Sequence, residues 1–347
     1  MRRGVARLIS WNAAEAELKM HQRKPLDMEE EKTVPVDNMK RIRDKYATQG
    51  YAPYQWVVNK EAPPWHPLQK SLKECRLGLI ASGGIYGVGQ VAFTYRDDTT
   101  FRSIPRDVKT GDLRVTHFAY DLRDARSDPN IVFPIDALRS LVQEGLIGDL
   151  TSRFITFMGG IYSARRVLQE LAPRLITALL PEQIDVLLLV PVTPVCHQSV
   201  GLIARSAEAQ GISTLCMSSA LDITRAVNPP RAAFLDFPLG HPNGRAHDPE
   251  LQRAILGEAL EAFVSLTKPG SVKVLSFQWP EGESWKKTAM ISKHDERLPR
   301  YDTPQYQFEE DRIRAMENPS SDGAIYASPK RKNRDLKSIF EAEPNPF

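Results

Sequence analysis

The sequence has few cysteines, little net charge and no long apolar run. Its three cysteines among 347 residues, Cys75, Cys196 and Cys216, are too few for a disulfide framework and indicate a reducing, cytoplasmic location. A formal charge of +3 is too small to indicate a nucleic-acid partner. No apolar run approaches the roughly 20 residues that cross a bilayer, so we expect no membrane association. The balance of 41% hydrophobic and 26% charged residues is typical of a globular protein.

Composition divides the chain into three parts. We predict an N-terminal extension or arm over residues 1–70, which are polar and punctuated by proline, and a globular domain over residues 71–280. Residues 281–347 contain 13 acidic and 12 basic side chains with little apolar periodicity, so we predict a polar, largely disordered tail. Met28 is an alternative start, which leaves open whether residues 1–27 belong to the mature protein.

Strand and helix patterns alternate along the chain. Short apolar runs predict strands at residues 77–82, 154–157, 184–190, 214–217, 231–234 and 272–277. Helices are predicted at residues 35–49, 134–144, 163–180, 196–210 and 249–266. Pro173 is a candidate kink in the third of these helices. Alternation of this kind indicates an α/β fold with an open, mostly parallel sheet and helices on both faces, doubly wound as in flavodoxin-like and Rossmann-like folds.

A glycine-rich segment follows the first predicted strand. Residues 83–89 are similar to a dinucleotide-binding loop, but the glycine spacing is wrong and no helical pattern follows. Residues 93–106 are polar and contain Pro105, so we predict a turn-rich surface segment there rather than a nucleotide site.

A cysteine follows the strand predicted at 184–190 and opens a helix. Thr193 is the expected N-cap, and Pro194 suits the first helical position because its missing N–H costs nothing there. Cys196 then lies among unpaired N–H groups near the positive end of the helix dipole, where the pKa of a thiol falls. We therefore predict a nucleophilic or redox thiolate at Cys196, with His197 as its proton partner. The alternative is a small buried apolar side chain at Cys196 and a surface histidine at His197.

Polar side chains also follow the other predicted strands. Ligands bind beyond the carboxyl ends of parallel strands, so we expect these groups to converge around Cys196. The candidate substrate-binding residues are Ser218, Ser219, Asp222, Arg225, Asp236 and His241. Arg225 is a candidate for holding a substrate carboxylate, although Asp222 and Arg225 could instead form an ion pair at a helix end.

Histidine spacing does not indicate a metal centre. His241 and His247, with the neighbouring aspartates, match no compact ligand pattern. His117 and Asp121 could act together as ligands only if that segment were helical. We predict no metal site.

Several segments, in order, are similar to one known family. They are the run 185–201 with its Thr-Pro-Val-Cys sequence, residues 218–225, 229–232 and 234–241 downstream, and residues 101–105, 112–115, 132–136 and 145–148 upstream. Together they resemble the glycine/sarcosine/betaine/D-proline reductase selenoprotein B family. The resemblance implies reductive cleavage of a C–N bond in a small amino acid or amine, with a dithiol or thioredoxin-like electron donor. It also implies a separate partner subunit that can carry a pyruvoyl group.

Thr193 departs from that family's pattern. The resemblance places the family's reactive selenocysteine or cysteine at Thr193 and its second cysteine at Cys196. A threonine cannot form a disulfide, so Cys196 would have to act alone, through a mixed disulfide or a sulfenic acid. Three hypotheses follow: an oxidoreductase-like subunit, a non-redox binding or scaffold subunit, and a hydrolase or lyase with Cys196 as nucleophile. Each of them allows an oligomer.

Overall fold

The structure is a computed structural model that describes residues 34–291, 295 and 297–317. Predictions for residues 1–33 and 318–347 lie outside the described residues. The strands are β1 (Arg76–Ala81), β2 (Ile85–Gly87), β3 (Phe101–Pro105), β4 (Leu113–Val115), β5 (Asp149–Leu150), β6 (Arg153–Phe157), β7 (Val186–Val190), β8 (Ser213–Ser218), β9 (Arg231–Phe234) and β10 (Ser271–Val274).

Helices separate most of these strands. They are α1 (Asn38–Ala47), α2 (Arg123–Ser127), α3 (Ile135–Gln143), α4 (Ala164–Arg166), α5 (Ala172–Leu179), α6 (Pro194–Glu208), α7 (Leu221–Val227), α8 (Pro249–Leu260), α9 (Ala262–Ser265), α10 (Trp285–Thr288) and α11 (Glu309–Glu317). Short 3₁₀ turns lie at Leu72–Glu74, Thr110–Asp112, Pro129–Ile131 and Leu180–Glu182. Within the described ranges, no helix has the length and apolar character that a membrane crossing requires.

The main sheet has the strand order β10-β9-β8-β7-β1-β6-β3, with β5 paired to the start of β1. Its pairings are parallel except for that between β6 and β3. The chain runs from β1 to β6 on one side and then returns to β7 on the other side of β1. This order is flavodoxin-like and confirms the predicted fold class. It also places a topological switch point between β1 and β7, where open α/β sheets bind ligands.

Alternate side chains of β7, the central strand, pack into two different hydrophobic cores. Val186–Val190 is buried throughout, as expected for a parallel strand that is covered on both faces. Leu188 packs in the core formed with α3 and α8, and Leu187 packs in the core formed with α5 and α6. Burying a leucine stabilises the fold by about 1.5–3 kcal/mol, so this strand ties the two layers together.

The prediction of a turn-rich surface segment over residues 93–106 is wrong. The segment contains strand β3, which pairs with β6, and its side chains Phe93 and Tyr95 are buried. The polar side chains of this segment indicated an exposed turn, but Arg102 is buried. Its guanidinium donates to the carbonyl oxygens of Val91 and Ala92. A charged residue could therefore enter the interior with its hydrogen bonds satisfied.

The helix predicted at 163–180 is present but irregular. A π-helical segment, Val167–Leu171, joins α4 to α5 directly before Pro173. Proline removes one backbone donor, and the wider segment accommodates the missing hydrogen bond. At the other end of the sheet, the strand predicted at 272–277 ends at Val274.

Residues 34–70 form an arm along α6 and α7, hereafter the N-terminal arm. The Gln198 side chain on α6 accepts from the Val57 amide at 2.8 Å and donates to the Tyr54 hydroxyl at 2.9 Å. At the opposite edge of the sheet, Arg231 lies 3.5 Å from the Trp65 ring centre and pairs with buried Glu208 at 2.6 Å. The arm is thus fixed at two places by polar groups that the body buries.

The described part of the predicted tail also contacts the body. The Gln307 side chain accepts the Val115 amide at 2.9 Å. Asp311 on α11 pairs with Arg114 at 2.9 Å, and its side chain is only 3% exposed. These polar contacts explain why apolar periodicity gave no sign of the packing. The domain boundaries at residues 70 and 280 remain predictions.

Candidate active site

The Cys196 sulfur lies at the switch point of the sheet. Cys196 is in the first turn of α6, which follows β7, and its sulfur is 4.0 Å from the carbonyl oxygen of Ser82 at the end of β1. Gly159, which follows β6, also lies beside the sulfur: a β-carbon at Gly159 would be 2.6 Å from it. The ends of three neighbouring strands therefore surround one sulfur atom.

Thr193 is the N-cap of α6, as predicted. Its hydroxyl oxygen accepts a hydrogen bond from the Cys196 amide at 3.4 Å. The same hydroxyl donates to the Cys196 sulfur, with 2.9 Å between oxygen and sulfur. The backbone is extended at Thr193, and Pro194 occupies the first helical position. One hydroxyl thus caps the helix and holds the sulfur.

A second side chain on the sulfur is His117, which comes from the loop after β4. Its Nε2 lies 3.7 Å from the sulfur, within the reach of a hydrogen bond to sulfur. Burial lowers the pKa of the His117 imidazole to about 3, so the ring is neutral at ordinary pH. From the sequence, His117 was a candidate only for metal ligation. Its separation of 79 residues from Cys196 hid the contact.

The expectation of a lowered thiol pKa is wrong. The side chain of Cys196 has no exposed surface, and this burial raises the pKa of the thiol. The nearby Ser82 and Thr193 side chains act in the opposite direction, toward a lower pKa of the Cys196 thiol, but do not overcome it. Removal of water from a charged sulfur outweighs the helix terminus on which the sequence argument depended.

Both ring nitrogens of His197 are hydrogen-bonded to backbone groups rather than to the sulfur. Its Nε2 accepts the Ser219 amide at 2.9 Å, so the proton of the neutral ring is on Nδ1, which donates to the Thr193 carbonyl oxygen at 2.7 Å. Burial lowers the pKa of His197 to about 4. The residue therefore links the loops after β7 and β8, and the proton-partner role expected for it is not supported by these contacts.

The expected substrate-binding residues after β8 mostly bind the protein itself. Ser218 shares a 2.7 Å hydrogen bond with the Thr224 hydroxyl. Asp222 accepts the Met39 amide at 2.7 Å and thereby holds α1 of the N-terminal arm. Arg225 is exposed, and no ion pair joins it to Asp222 among the described residues. Ser219 keeps a buried hydroxyl that has no hydrogen-bond partner among the described residues.

The residues after β9 lie at the same edge of the sheet but form separate pairs. Asp236 pairs with Lys286 at 2.5 Å, and His241 is 3.0 Å from a carboxylate oxygen of Asp124. The Gly240 amide donates to the carbonyl oxygen of Val192, which brings this loop beside the start of α6. In the described part of the chain, no group of three or more His, Cys, Asp or Glu side chains could hold a metal ion.

An open cleft leads to Thr193. Six aromatic side chains line it: Tyr46, Tyr51, Tyr54, Trp56, Phe118 and Tyr162. The N-terminal arm provides four of these rings, and the loops after β4 and β6 provide Phe118 and Tyr162. Thr193 and Pro194 also line the cleft, whereas Cys196 does not. Thr193 therefore contacts both the cleft and the sulfur behind it.

The fold and the site together define a class of protein: an α/β protein with a flavodoxin-like sheet and a cysteine at the switch point of that sheet. The sequence model of glycine/sarcosine/betaine reductase selenoprotein B matches residues 36–191. D-proline reductase subunit gamma of Acetoanaerobium sticklandii is 32% identical over 217 residues, which cover 62% of this chain and 90% of that protein. The chain belongs to this reductase selenoprotein B family.

More distant relatives are longer proteins. Sarcosine reductase complex component B subunit beta of Peptoclostridium acidaminophilum is 24% identical over 60% of this chain and 50% of its own length. Glycine reductase complex component B subunit gamma of Symbiobacterium thermophilum is 25% identical over 59% of this chain and 49% of its own length. The chain thus spans about half the length of these two relatives. No solved structure matches it.

Proposed function

We propose that the chain is a subunit of a reductase complex in which Cys196 supplies a thiol for reductive C–N bond cleavage. The observation that carries the proposal is the sulfur at the switch point, held by Thr193 and His117 in a chain of this family. The substrate class is a small amino acid or amine, as the relatives' names indicate. The aromatic cleft beside Thr193 is the proposed approach to the sulfur.

The chemistry balances with one cysteine if a dithiol supplies the electrons. The thiolate attacks the carbon next to the substrate carboxylate, a C–S bond forms as the C–N bond breaks, and the nitrogen keeps or takes a proton. A thiol of the donor then attacks the Cys196 sulfur, forming a mixed disulfide while the carbon takes a proton. The second thiol of the donor releases Cys196 as the donor becomes a disulfide. The net change is C–N cleavage with two electrons and two protons from the dithiol.

Partners and cofactors are part of the same proposal. The relatives' names, which describe subunits and components of complexes, support a partner subunit. A dithiol or thioredoxin-like donor and a pyruvoyl group on the partner are the cofactors we propose. The pyruvoyl group would belong to the partner, so this chain's task would be to hold the sulfur and admit the substrate.

Turnover by the complex, purified through this chain from its native host, tests the proposal. Dithiothreitol would be supplied with D-proline, glycine, sarcosine or betaine, and the nitrogen-containing product measured, which is released ammonia or amine for the last three and the ring-opened amino acid for D-proline. We expect product formation that depends on dithiothreitol, lost in Cys196→Ser and kept in Cys216→Ser. Cys216 is a suitable control because its buried sulfur contacts the Val200 carbonyl oxygen inside the sheet layer. Full turnover by Cys196→Ser would refute the proposal.

A non-redox binding subunit is the second candidate. The complete burial of Cys196 and the absence of a thiol at position 193 favour it. It predicts that Cys196→Ser binds the same partners and supports the same turnover as the wild type. Release of the amine without dithiothreitol would instead indicate the hydrolase or lyase class.

A further inference from the structure

We infer that His117 is a positioning residue that donates a hydrogen bond from Nε2 to the Cys196 sulfur and favours its thiolate form. The inference rests on the proposed function for its role in turnover, but the hydrogen bond itself can be tested separately. His117 lies in the loop between β4 and α2, far in sequence from the cysteine. Three observations support the hydrogen bond: the tautomer of the His117 ring, the fixed orientation of that ring, and the groups that surround the sulfur.

The backbone sets the tautomer of the ring. The Ala119 amide donates to His117 Nδ1 at 3.0 Å, so Nδ1 carries a lone pair and no proton. In a neutral imidazole the proton must then be on Nε2. Nε2 is the atom that lies 3.7 Å from the Cys196 sulfur, so the ring presents an N–H group to it.

Packing fixes the ring in this orientation. His117 is fully buried and stacks on Phe118 with an interplanar angle of 10° and a centroid separation of 5.4 Å. Tyr120 lies against it at 5.1 Å between ring centroids, and the Tyr120 hydroxyl donates to the Gly83 carbonyl oxygen. A ring held between two others keeps its N–H in place without a further loss of conformational freedom.

Within the part of the chain that the structure describes, the groups around the sulfur are hydrogen-bond donors and include no cation. The Thr193 hydroxyl donates from the end of β7, and His117 and Tyr120 are the titratable side chains that face the sulfur. Ser82, at the end of β1, has a fully buried hydroxyl with no hydrogen-bond partner among the described residues. This hydroxyl lies 3.1 Å, and the sulfur 2.6 Å, from the point that a β-carbon on Gly159 would occupy.

An unsatisfied hydroxyl beside the sulfur is a donor that the thiol form does not use. A thiolate accepts several hydrogen bonds, and the Ser82 and Thr193 hydroxyls and the His117 N–H are placed around it. Because His117 stays neutral, it stabilises the thiolate as a hydrogen-bond donor rather than as a charge. This arrangement differs from the cysteine–imidazolium pairs of other thiol enzymes.

Two matched variants of the full chain test the inference. His117→Asn keeps an oxygen that can accept the Ala119 amide but does not reach the sulfur. His117→Gln extends an amide N–H to the position of Nε2. Thiolate absorbance at 240 nm, measured against pH and corrected with the same variant carrying Cys196→Ser, gives the titration of Cys196 alone. Cys75 and Cys216 are present in both proteins, so the subtraction removes their absorbance. Burial also raises the pKa of Cys75 to about 11 and raises that of Cys216.

We expect His117→Asn to raise the titration midpoint by about one pH unit, because a hydrogen bond to a charged group is lost. His117→Gln should recover at least half of that shift. Far-UV circular dichroism confirms that each variant is folded, and a variant that does not fold is replaced by His117→Ser, which also lacks a group that reaches the sulfur. Equal midpoints for wild type and the folded variant without the donor would overturn the inference.

Turnover separates the two proposals. A shifted midpoint together with full turnover by Cys196→Ser would support the hydrogen bond but reject the thiol reductase. Loss of turnover in Cys196→Ser without a midpoint shift in His117→Asn would support the reductase and reject the role of His117. If both hold, the turnover of His117→Asn should fall about tenfold at a pH below the midpoint and approach the wild-type value at high pH.

Discussion

Two fully buried imidazoles should make the folded protein sensitive to mild acid. Burial lowers the pKa of His117 to about 3 and that of His197 to about 4, against 6.5 for an unperturbed histidine. Below pH 6.5 the unfolded chain binds protons that these two rings in the folded chain do not. The stability that they contribute is therefore complete above about pH 6.5 and is lost progressively as the pH falls through the range down to their folded-state pKa values.

The size of the effect follows from proton linkage. At pH 5 a histidine in the unfolded chain is almost fully protonated, whereas His117 and His197 in the folded chain remain neutral. Between pH 7 and pH 5 each ring should thus lower the free energy of unfolding by about 2 kcal/mol, and both by about 4 kcal/mol. This is a large part of the roughly 5–15 kcal/mol that stabilises a typical domain.

Urea unfolding at pH 7, 6 and 5, followed by tryptophan fluorescence, measures the effect. His117→Gln and His197→Gln should each be less stable than the wild type at pH 7, and each should lose about 2 kcal/mol less on acidification. The double variant should lose about 4 kcal/mol less than the wild type. Carboxylates titrate equally in all four proteins, so they cancel in the comparison. Identical losses in wild type and double variant would refute this account of the two buried rings.

Two substitutions test the geometry around the sulfur, and a third tests the attachment of the N-terminal arm. Thr193→Cys replaces a hydroxyl oxygen 2.9 Å from the Cys196 sulfur, so we expect a disulfide, detected in intact mass spectrometry as the loss of two hydrogen atoms and absent from Thr193→Ser. Gly159→Ala would place a β-carbon 2.6 Å from that sulfur and should lower the free energy of unfolding by about 1–3 kcal/mol, and an unchanged urea midpoint would contradict the packing. Asp222→Ala removes the acceptor of the Met39 amide and should speed amide hydrogen exchange in α1 but not in β7; equal exchange in α1 would show that the arm is held elsewhere.

Local patterns were sufficient to predict most of the parallel strands of the sheet and the start of α6. Apolar runs such as Val186–Val190 are buried on both faces, so they stand out in composition as well as in structure. The cap at Thr193 was predictable because capping depends on residues only three apart. The resemblance of several ordered segments to one family was likewise visible in the sequence and is confirmed by the comparisons.

Long-range contacts were not predictable in the same way. His117 meets the sulfur only because β4 and α6 are brought together by the fold, and no local pattern encodes that distance. Asp222 was expected to bind substrate because it follows a strand, but the N-terminal arm supplies an amide that occupies it. The thiol pKa was mispredicted for a related reason: a helix terminus is visible in sequence, whereas complete burial of Cys196 is a property of the whole fold.

Thr193 is the residue that most sharply separates a redox subunit from a binding one. Its hydroxyl caps α6 and donates to the Cys196 sulfur, so the site holds one sulfur and a hydrogen-bond donor where a second sulfur would complete a redox pair. A two-electron reduction then requires the second sulfur to come from the electron donor. A donor that approaches through the aromatic cleft reaches Cys196 past Thr193, because Thr193 borders the cleft and Cys196 does not. A redox subunit therefore needs a dithiol partner that docks over this cleft and displaces the Thr193 side chain, whereas a binding subunit needs neither.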